Sequence, residues 1–377
     1  MIIFYLKGLS YIDPDFGWRV KAGEYYWTNG IPKTDIFSYT MPDFPWVDHA
    51  WGVSIIFYLV NTFLGYQSLV FLTALILSAT VFFLSKSVSK YGFNNNIFEK
   101  ISIFLKINHF CPSFFTIKFK SIYPFSFFPL ILVTSIFLPF FGVRAQVFSW
   151  FMYSILVYWL SDDAVFEKIK LFLPLFFLIW ANLHGSFVLG IATFFLYILL
   201  KFYDKRKILL KDSFVLLFSI FATFLNPYRG GIWREAWSSA SDAKLRWSIV
   251  EWMPSLTMFD LSMVFLICLS LILIFRYRRN YLSFELVLFL FLFVQAVSSK
   301  RQLPLWAIFT LPLTAKGIFY FWTDLKSVKE AKVRFIKAYK IAWMIALFTF
   351  FIQIAFSLKD SYAFAPEKFY PISAVNY

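Results

Sequence analysis

Long apolar runs alternate along this chain with short polar joints. Runs approaching the roughly 20 residues that cross about 30 Å of hydrocarbon fall at 67–85, 121–141, 146–160, 170–182, 184–200, 212–225, 260–275, 281–299, 303–322 and 341–357. They predict an all-α, polytopic transmembrane bundle of about 10 or 11 helices. Several runs are short for a span, which predicts tilt, thinning or broken helices. The stretch 170–200 reads as two helices meeting at Asn182–Gly185, because Asn-Leu-His-Gly carries the polar and flexible residues of a turn. Residues 1–12 make a helix of only about 18 Å, so the chain is expected to begin part-way into its first membrane helix. The pattern predicts one transmembrane domain over 1–357, with a first outer loop at 12–66 containing an interfacial helix at 14–28. A second large outer loop is expected at 226–259 and a short outer tail at 358–377.

Composition makes lipid the solvent. The chain is 60% hydrophobic, 23% aromatic and 15% charged, whereas a soluble domain is roughly half apolar and a quarter charged. The net charge of +15 would suit nucleic acid in a soluble protein, but here it is a topology signal. With 12–66 placed outside, the joints expected inside (86–120, 161–170, 201–211, 276–280 and 323–340) hold 22 of the 36 Lys and Arg. KFYDKRKILLK, RYRR and KSVKEAKVRFIKAYK all fall there, as the positive-inside rule requires. No nucleic-acid partner follows. Cys111 and Cys268 sit in apolar surroundings and make neither a zinc site nor a redox signature.

The same bookkeeping sends seven unusual polar clusters to the outer face: IDPDFGW, WVDHAWG, GVRAQ, ANLHG, NPYRGGIW, IVEWMP and SKRQLP. Joints that merely connect helices have no reason to gather His, Asp, Arg, Asn and Trp on one surface, so this rim is the expected site. Each residue also has a plainer reading. Asp13 ahead of Pro14 makes a good N-cap and N1 pair, while Asp13 and Asp15 together make an acid pair at the mouth of the bundle. Asp48 and His49, between Trp46 and Trp51, suit either headgroups or a phosphate, metal or hydroxyl. Arg144, Gln146 and Arg301 stand where charge is costly; they either snorkel or join His184 in an anion site, for which Arg supplies bidentate geometry. Asn182 and His184 form a polar turn open to ligand contact. Tyr228, after the Asn-Pro turn, and Glu251-Trp252 suit sugar binding, ring against C–H face and acid against hydroxyls. P-loop, G-x-G-x-x-G, G-x-S-x-G and H-E-x-x-H motifs are absent.

The run DPDFGWRVKAGEYYWTNGIPKTDIFSYTMPDFPWVDHAWG resembles the first outer loop of multi-pass membrane proteins related to the GT-C glycosyltransferases. VRAQVFSW is similar to that group's R-P-Q-x-F-S element, with Ala145 in place of Pro. WANLHGSF is similar to its W-A-N-x-H-G-G-F, with Ser186 in place of Gly, and LNPYRGG and IVEWMP resemble its later outer elements. The resemblance covers about residues 12–255. It implies transfer of a sugar, with inversion, from a polyprenyl-phosphate carrier to a glycan, lipid or protein acceptor at the outer, periplasmic face of the inner membrane. Asp13 or Asp15 would be the general base, and Arg144, Gln146, His184 and Arg301 would hold the carrier phosphate. Asp48, His49, Asn182, Tyr228, Glu251 and Trp252 would hold sugar or acceptor. A divalent ion, Mg or Mn, would rest on Asp13, Asp15 and His49 if one is used. A lipid-linked-sugar flippase or a non-catalytic assembly subunit of the same fold are the alternatives. Single cysteines replacing Asp15 and His184 are expected to share one compartment in accessibility labelling, with one replacing Lys205 in the other; opposite compartments for the first two would overturn the shared rim.

Overall fold

The computed structural model describes residues 1–10, 12–89, 124–205, 210–242, 247–257, 261–325 and 329–359. These are overwhelmingly helical, and among them the only β-type pairing is a bridge between Thr34 and Pro45. The helices are α1 (Ile2–Ser10), α2 (Phe16–Asn29), α3 (Trp51–Ser89), α4 (Pro124–Phe137), α5 (Gln146–Leu160), α6 (Asp163–Ile169) and α7 (Leu173–Leu183). They continue as α8 (Phe187–Lys205), α9 (Leu210–Thr223), α10 (Gly231–Ser241), α11 (Leu261–Arg276), α12 (Ser283–Ser298), α13 (Leu303–Leu325) and α14 (Lys329–Lys359).

The axis of the bundle is α13. Every residue from Leu303 to Ile318 is buried, as befits a helix apolar on all sides, and α3, α4, α5, α11, α12 and α14 all pack against it. Lys316 is the one charge in that run, and Glu285 of α12 neutralises it at 2.5 Å. Three stretches, Trp51–Ser89, Phe187–Asp204 and Lys300–Leu325, are long and apolar enough to cross a membrane, which marks a membrane protein. Leu130–Phe140, Gln146–Leu160, Ser262–Arg276, Ser283–Ser298 and Met344–Ala355 are apolar but shorter. The runs read as spans at 170–182 and 212–225 give α7 and α9, with 11 and 14 residues. At about 1.5 Å per residue neither reaches across the hydrocarbon alone.

The first outer loop is also more helical than expected. Residues 51–64, placed in that loop from sequence, form the first limb of α3, and the helix bends at Gly65, whose φ of 78° only glycine adopts readily. The inner joint expected at 86–120 begins within α3; beyond residue 89 it lies outside the described residues, with Cys111, as does the tail beyond 359.

The joints fall into two sets at opposite ends of the helices. One set is tied by Lys170–Asp212 (2.8 Å), Lys201–Asp163 (3.1 Å), Ser283–Asp204 (2.7 Å) and Tyr277–Asp324 (2.8 Å). The other gathers all seven polar clusters. Arg144 bonds Asp13 and Glu251, the Lys300 amide donates to the Met253 carbonyl, and His49 meets His184. Asn226 bonds Asn182, and Gly231 lies against Val47.

Helix α2 docks on the first limb of α3 through Arg19, Ala22, Gly23 and Tyr26, a buried stripe of helical period. A Cβ on Gly23 would lie 2.0 Å from the Ser54 carbonyl oxygen, whereas one on Gly17 would meet nothing within 4 Å. Gly23→Ala is therefore expected to lower stability by about 1–3 kcal/mol in detergent-melting experiments, with Gly17→Ala neutral or slightly stabilising; equal midpoints for the two would refute this close approach.

Candidate functional site

Three joints meet on one guanidinium. Arg144, between α4 and α5, donates Nε–H to Asp13 Oδ2 (2.6 Å), engages the same carboxylate through Nη2, and donates Nη1–H to Glu251 Oε1 (2.8 Å). Its side chain is 11% exposed, that of Asp13 1% and that of Glu251 38%. Gly142 makes the room, since a Cβ there would lie 3.1 Å from Asp13 Oδ2. The capping expected of Asp13 and Pro14 takes another form. Helix α2 starts at Phe16, with Asp15 in the N-cap position and no side-chain cap bond, and Asp13 Oδ1 accepts the Asp15 amide at 3.0 Å. Burial raises the Asp13 carboxyl above its ordinary range, against the pull of Arg144 and the Asp15 amide. Working against burial, Asp13 and Glu251 hold Arg144 above its own.

A second buried pair stiffens the floor. Arg19 Nη1 donates to Asp48 Oδ1 at 2.8 Å, and the remaining capacity of Asp48 is filled by the Ala50 amide (2.8 Å), Tyr26 Oη (3.1 Å) and Ser54 Oγ (3.1 Å). Burial works against the carboxylate, but Arg19 foremost, with His49 and the Ala50 amide, holds it below the usual range. Asp48 is thus committed to positioning rather than offered to an acceptor. Arg19 and Tyr26 escape the sequence reading; the signal for them is their helical spacing with Ala22 and Gly23. Trp46 Nε1 donates to Tyr26 Oη at 2.9 Å, and Trp18, Phe37 and Trp46 pack edge to face above the pair.

The two imidazoles meet edge to face, with centroids 5.1 Å apart. His184 Nδ1 accepts the Ser186 amide at 3.1 Å and lies 2.9 Å from Ser149 Oγ, which itself accepts Trp180 Nε1–H at 3.0 Å. An amide can only donate, so Nδ1 is bare and the ring proton sits on Nε2. That N–H is buried without a hydrogen-bond partner among the described residues, as is Trp51 Nε1–H. Burial, then His49, Arg301 and Arg19, push His184 well below its ordinary pKa. Burial and Arg19, against Asp48, push His49 down to about 3. Both rings are therefore neutral at pH 7, and Gly185 lies against the His49 ring.

Of the charges nominated from sequence, two remain outside these pairs. Arg301 has no hydrogen-bonded or ion-pair partner among the described residues; its guanidinium lies 5.1 Å from the Trp252 ring centre, within the fields of Glu251, Arg144, Arg19 and Asp15. Asp15 is exposed, and the bond it accepts is from Trp18 Nε1 at 3.1 Å. The other nominated residues divide. Burial pushes the Tyr228 phenol, beside Tyr26 and Asp48, up to about 12. Asn182 is spent on structure, donating to the Leu178 and Leu225 carbonyls and accepting from Asn226. Gln146 opens α5. Among the described residues no three His, Cys, Asp or Glu side chains gather in a metal-holding group, so Asp13, Asp15 and His49 do not form a ready ligand set.

No protein-family model, curated protein or solved structure matches the chain.

The imidazoles generate a pH dependence. In the unfolded chain both titrate near pH 6.5, while their folded pKa values are depressed, so below pH 6.5 the unfolded state binds more protons and stability falls with acidification. The melting midpoint is expected to drop between pH 6.5 and 4.5, and the His49→Asn/His184→Asn double variant to show a shallower slope. Identical slopes would mean that these rings do not carry the effect.

Proposed function

We propose that the chain is a polytopic membrane glycosyltransferase of the GT-C type, taking a sugar from a polyprenyl-phosphate carrier at the rim where its polar joints converge. The observation that carries this reading is what is left of the charges nominated from sequence when the ion pairs are counted: an exposed carboxylate, Asp15, and a guanidinium, Arg301, within one another's fields. Within the field of Arg301 lies His184, whose Nε2–H is buried and unpartnered among the described residues. A general base and a set of donors for a departing phosphate are the two parts that glycosyl transfer needs from a protein.

In this reading Asp15, rather than Asp13, accepts the acceptor hydroxyl's proton, because Asp13 is 1% exposed and held by Arg144. The acceptor oxygen attacks the anomeric carbon from the face opposite the phosphate, and the bond from that carbon to the phosphate oxygen breaks. The charge left on the polyprenyl phosphate is met by Arg301 and by His184 Nε2–H. Arg144, expected from sequence to hold phosphate, instead fixes the Asp13 and Glu251 joints around the site. Trp252, already beside Arg301, and the Glu251 oxygen that does not bond Arg144 would face the sugar. The charge bias of the joints supports an outward, periplasmic orientation of this rim in the inner membrane. Over the flippase alternative, enzyme action is favoured by the pairing of Lys316 with Glu285, which leaves no free charge along the axial helix.

The test uses purified protein and a panel of polyprenyl-phosphate hexoses, with release of polyprenyl phosphate as the readout. Asp15→Asn is expected to slow release by at least about a hundredfold with an unchanged melting midpoint. Asp13→Asn should lower both rate and midpoint, and Asp43→Asn, on the exposed loop, neither. If Asp15→Asn and Asp43→Asn turn over alike, the catalytic assignment fails.

A further inference from the structure

At the end of the bundle opposite this site, a groove of about 750 Å³ opens between the C-terminal turn of α11, the tight turn Arg278–Asn280 and α13. Its lining combines two chemistries. Ile272 and Phe275 are 66% and 74% exposed and form an apolar wall. Arg276, Arg278 and Arg279 are all exposed, and none has an ion-pair partner among the described residues. The acid of the lining, Asp324, accepts the Tyr277 hydroxyl at 2.8 Å. Arg276 and Arg278 lie beside the rings of Tyr277 and Phe275, each 5.5 Å from the ring centre, so Arg278 adjoins the apolar wall.

We propose that this groove is a binding site for an anionic phospholipid, its phosphodiester held by Arg278 and Arg279 and its acyl chains laid along Ile272 and Phe275. Snorkelling accounts for single arginines at a helix end. It does not account for three within four positions on a turn that lines one concavity. Guanidinium pairs match the phosphodiester geometry, and basic pockets beside membrane helices suit anionic headgroups, each basic residue contributing modestly but additively. A soluble phosphate would use the guanidiniums alone and leave the apolar wall wet, so the occupant is the lipid. The site is independent of the glycosyltransferase reading, since no residue is shared.

The full chain in phosphatidylcholine nanodiscs, with and without phosphatidylglycerol, tests this by native mass spectrometry of retained lipid and by melting midpoint. Wild type is expected to retain phosphatidylglycerol in preference to phosphatidylcholine and to melt higher in its presence. R278Q/R279Q is expected to lose about tenfold of that preference, R278K/R279K to keep most of it, and Lys33→Gln, at the other end, all of it. The proposal is overturned if wild type shows no preference or if R278Q/R279Q retains it in full. A gain in midpoint from inorganic phosphate equal to that from the lipid overturns it as well. Should R278Q/R279Q not fold, the wild-type preference and the lysine variant still decide.

Discussion

The arrangement of the polar rim depends on one side chain. Arg144 ties Asp13, 131 residues before it, to Glu251, 107 residues after it. Among the described residues a backbone bond, from the Lys300 amide to the Met253 carbonyl, also joins two of these joints, but helices satisfy their own amides and carry no edge to pair. A buried ion pair adds little net stability over a well-packed apolar contact, but removing one partner leaves a stranded charge at a cost of about 3–5 kcal/mol. The clamp therefore acts chiefly on arrangement: of the ways three joints can settle over an apolar bundle, it penalises those that part them.

Helix breaks, rather than helices, build the site. Asp15 stands where α2 starts, Arg144 between the turn after α4 and the start of α5, His184 in the extended residue that ends α7, and Arg301 in the turn before α13. At each of these points the backbone leaves the helical path, and polar side chains satisfy what the helix no longer can. Ser186 shows the coupling: its amide, freed by the break after α7, fixes the His184 tautomer and so turns Nε2–H toward the unpaired side. The same local geometry that ends a helix thus sets the chemistry of a ring.

Much of this was legible in the residues, and the reasons for the rest are physical. The break at Asn182–Gly185 was readable because polar and flexible residues interrupt a continuous apolar run, and the convergence of joints followed from counting charges between runs. Division of labour within the rim was not readable. Asp13 and Asp15 look alike as sequence, yet one lies buried under Arg144 and the other faces water, a difference made by residues more than a hundred positions away. Arg19 was hidden because its partner Asp48 lies across a loop and the stripe it shares with Ala22, Gly23 and Tyr26 contains a charge. The first limb of α3 was missed although it is as apolar as the run behind it, because the stretch before Gly65 is too short for a span and that glycine sets it apart. The run at 212–225 had the length of α9 but lies two residues too late, and the run at 170–182 took in the tight turn Lys170–Phe172 that precedes α7, because apolar residues do not mark where the backbone turns.

Charge neutrality separates the two ends of the molecule and explains why histidine, rather than a fourth arginine, faces Arg301. Arg19, Arg144 and Arg301 already crowd the rim, and carboxylates match the first two. A further permanent cation there would raise the desolvation cost of the site when empty. An imidazole kept neutral by burial and by neighbouring guanidiniums avoids that cost while still offering one directed N–H. Such a donor adds little field in the resting protein and gains strength as negative charge grows on the group it faces. In the proposed transfer the depressed pKa of His184 would be a condition of its use: protonation would repel Arg301, whereas the neutral ring offers its proton as a hydrogen bond without having to transfer it.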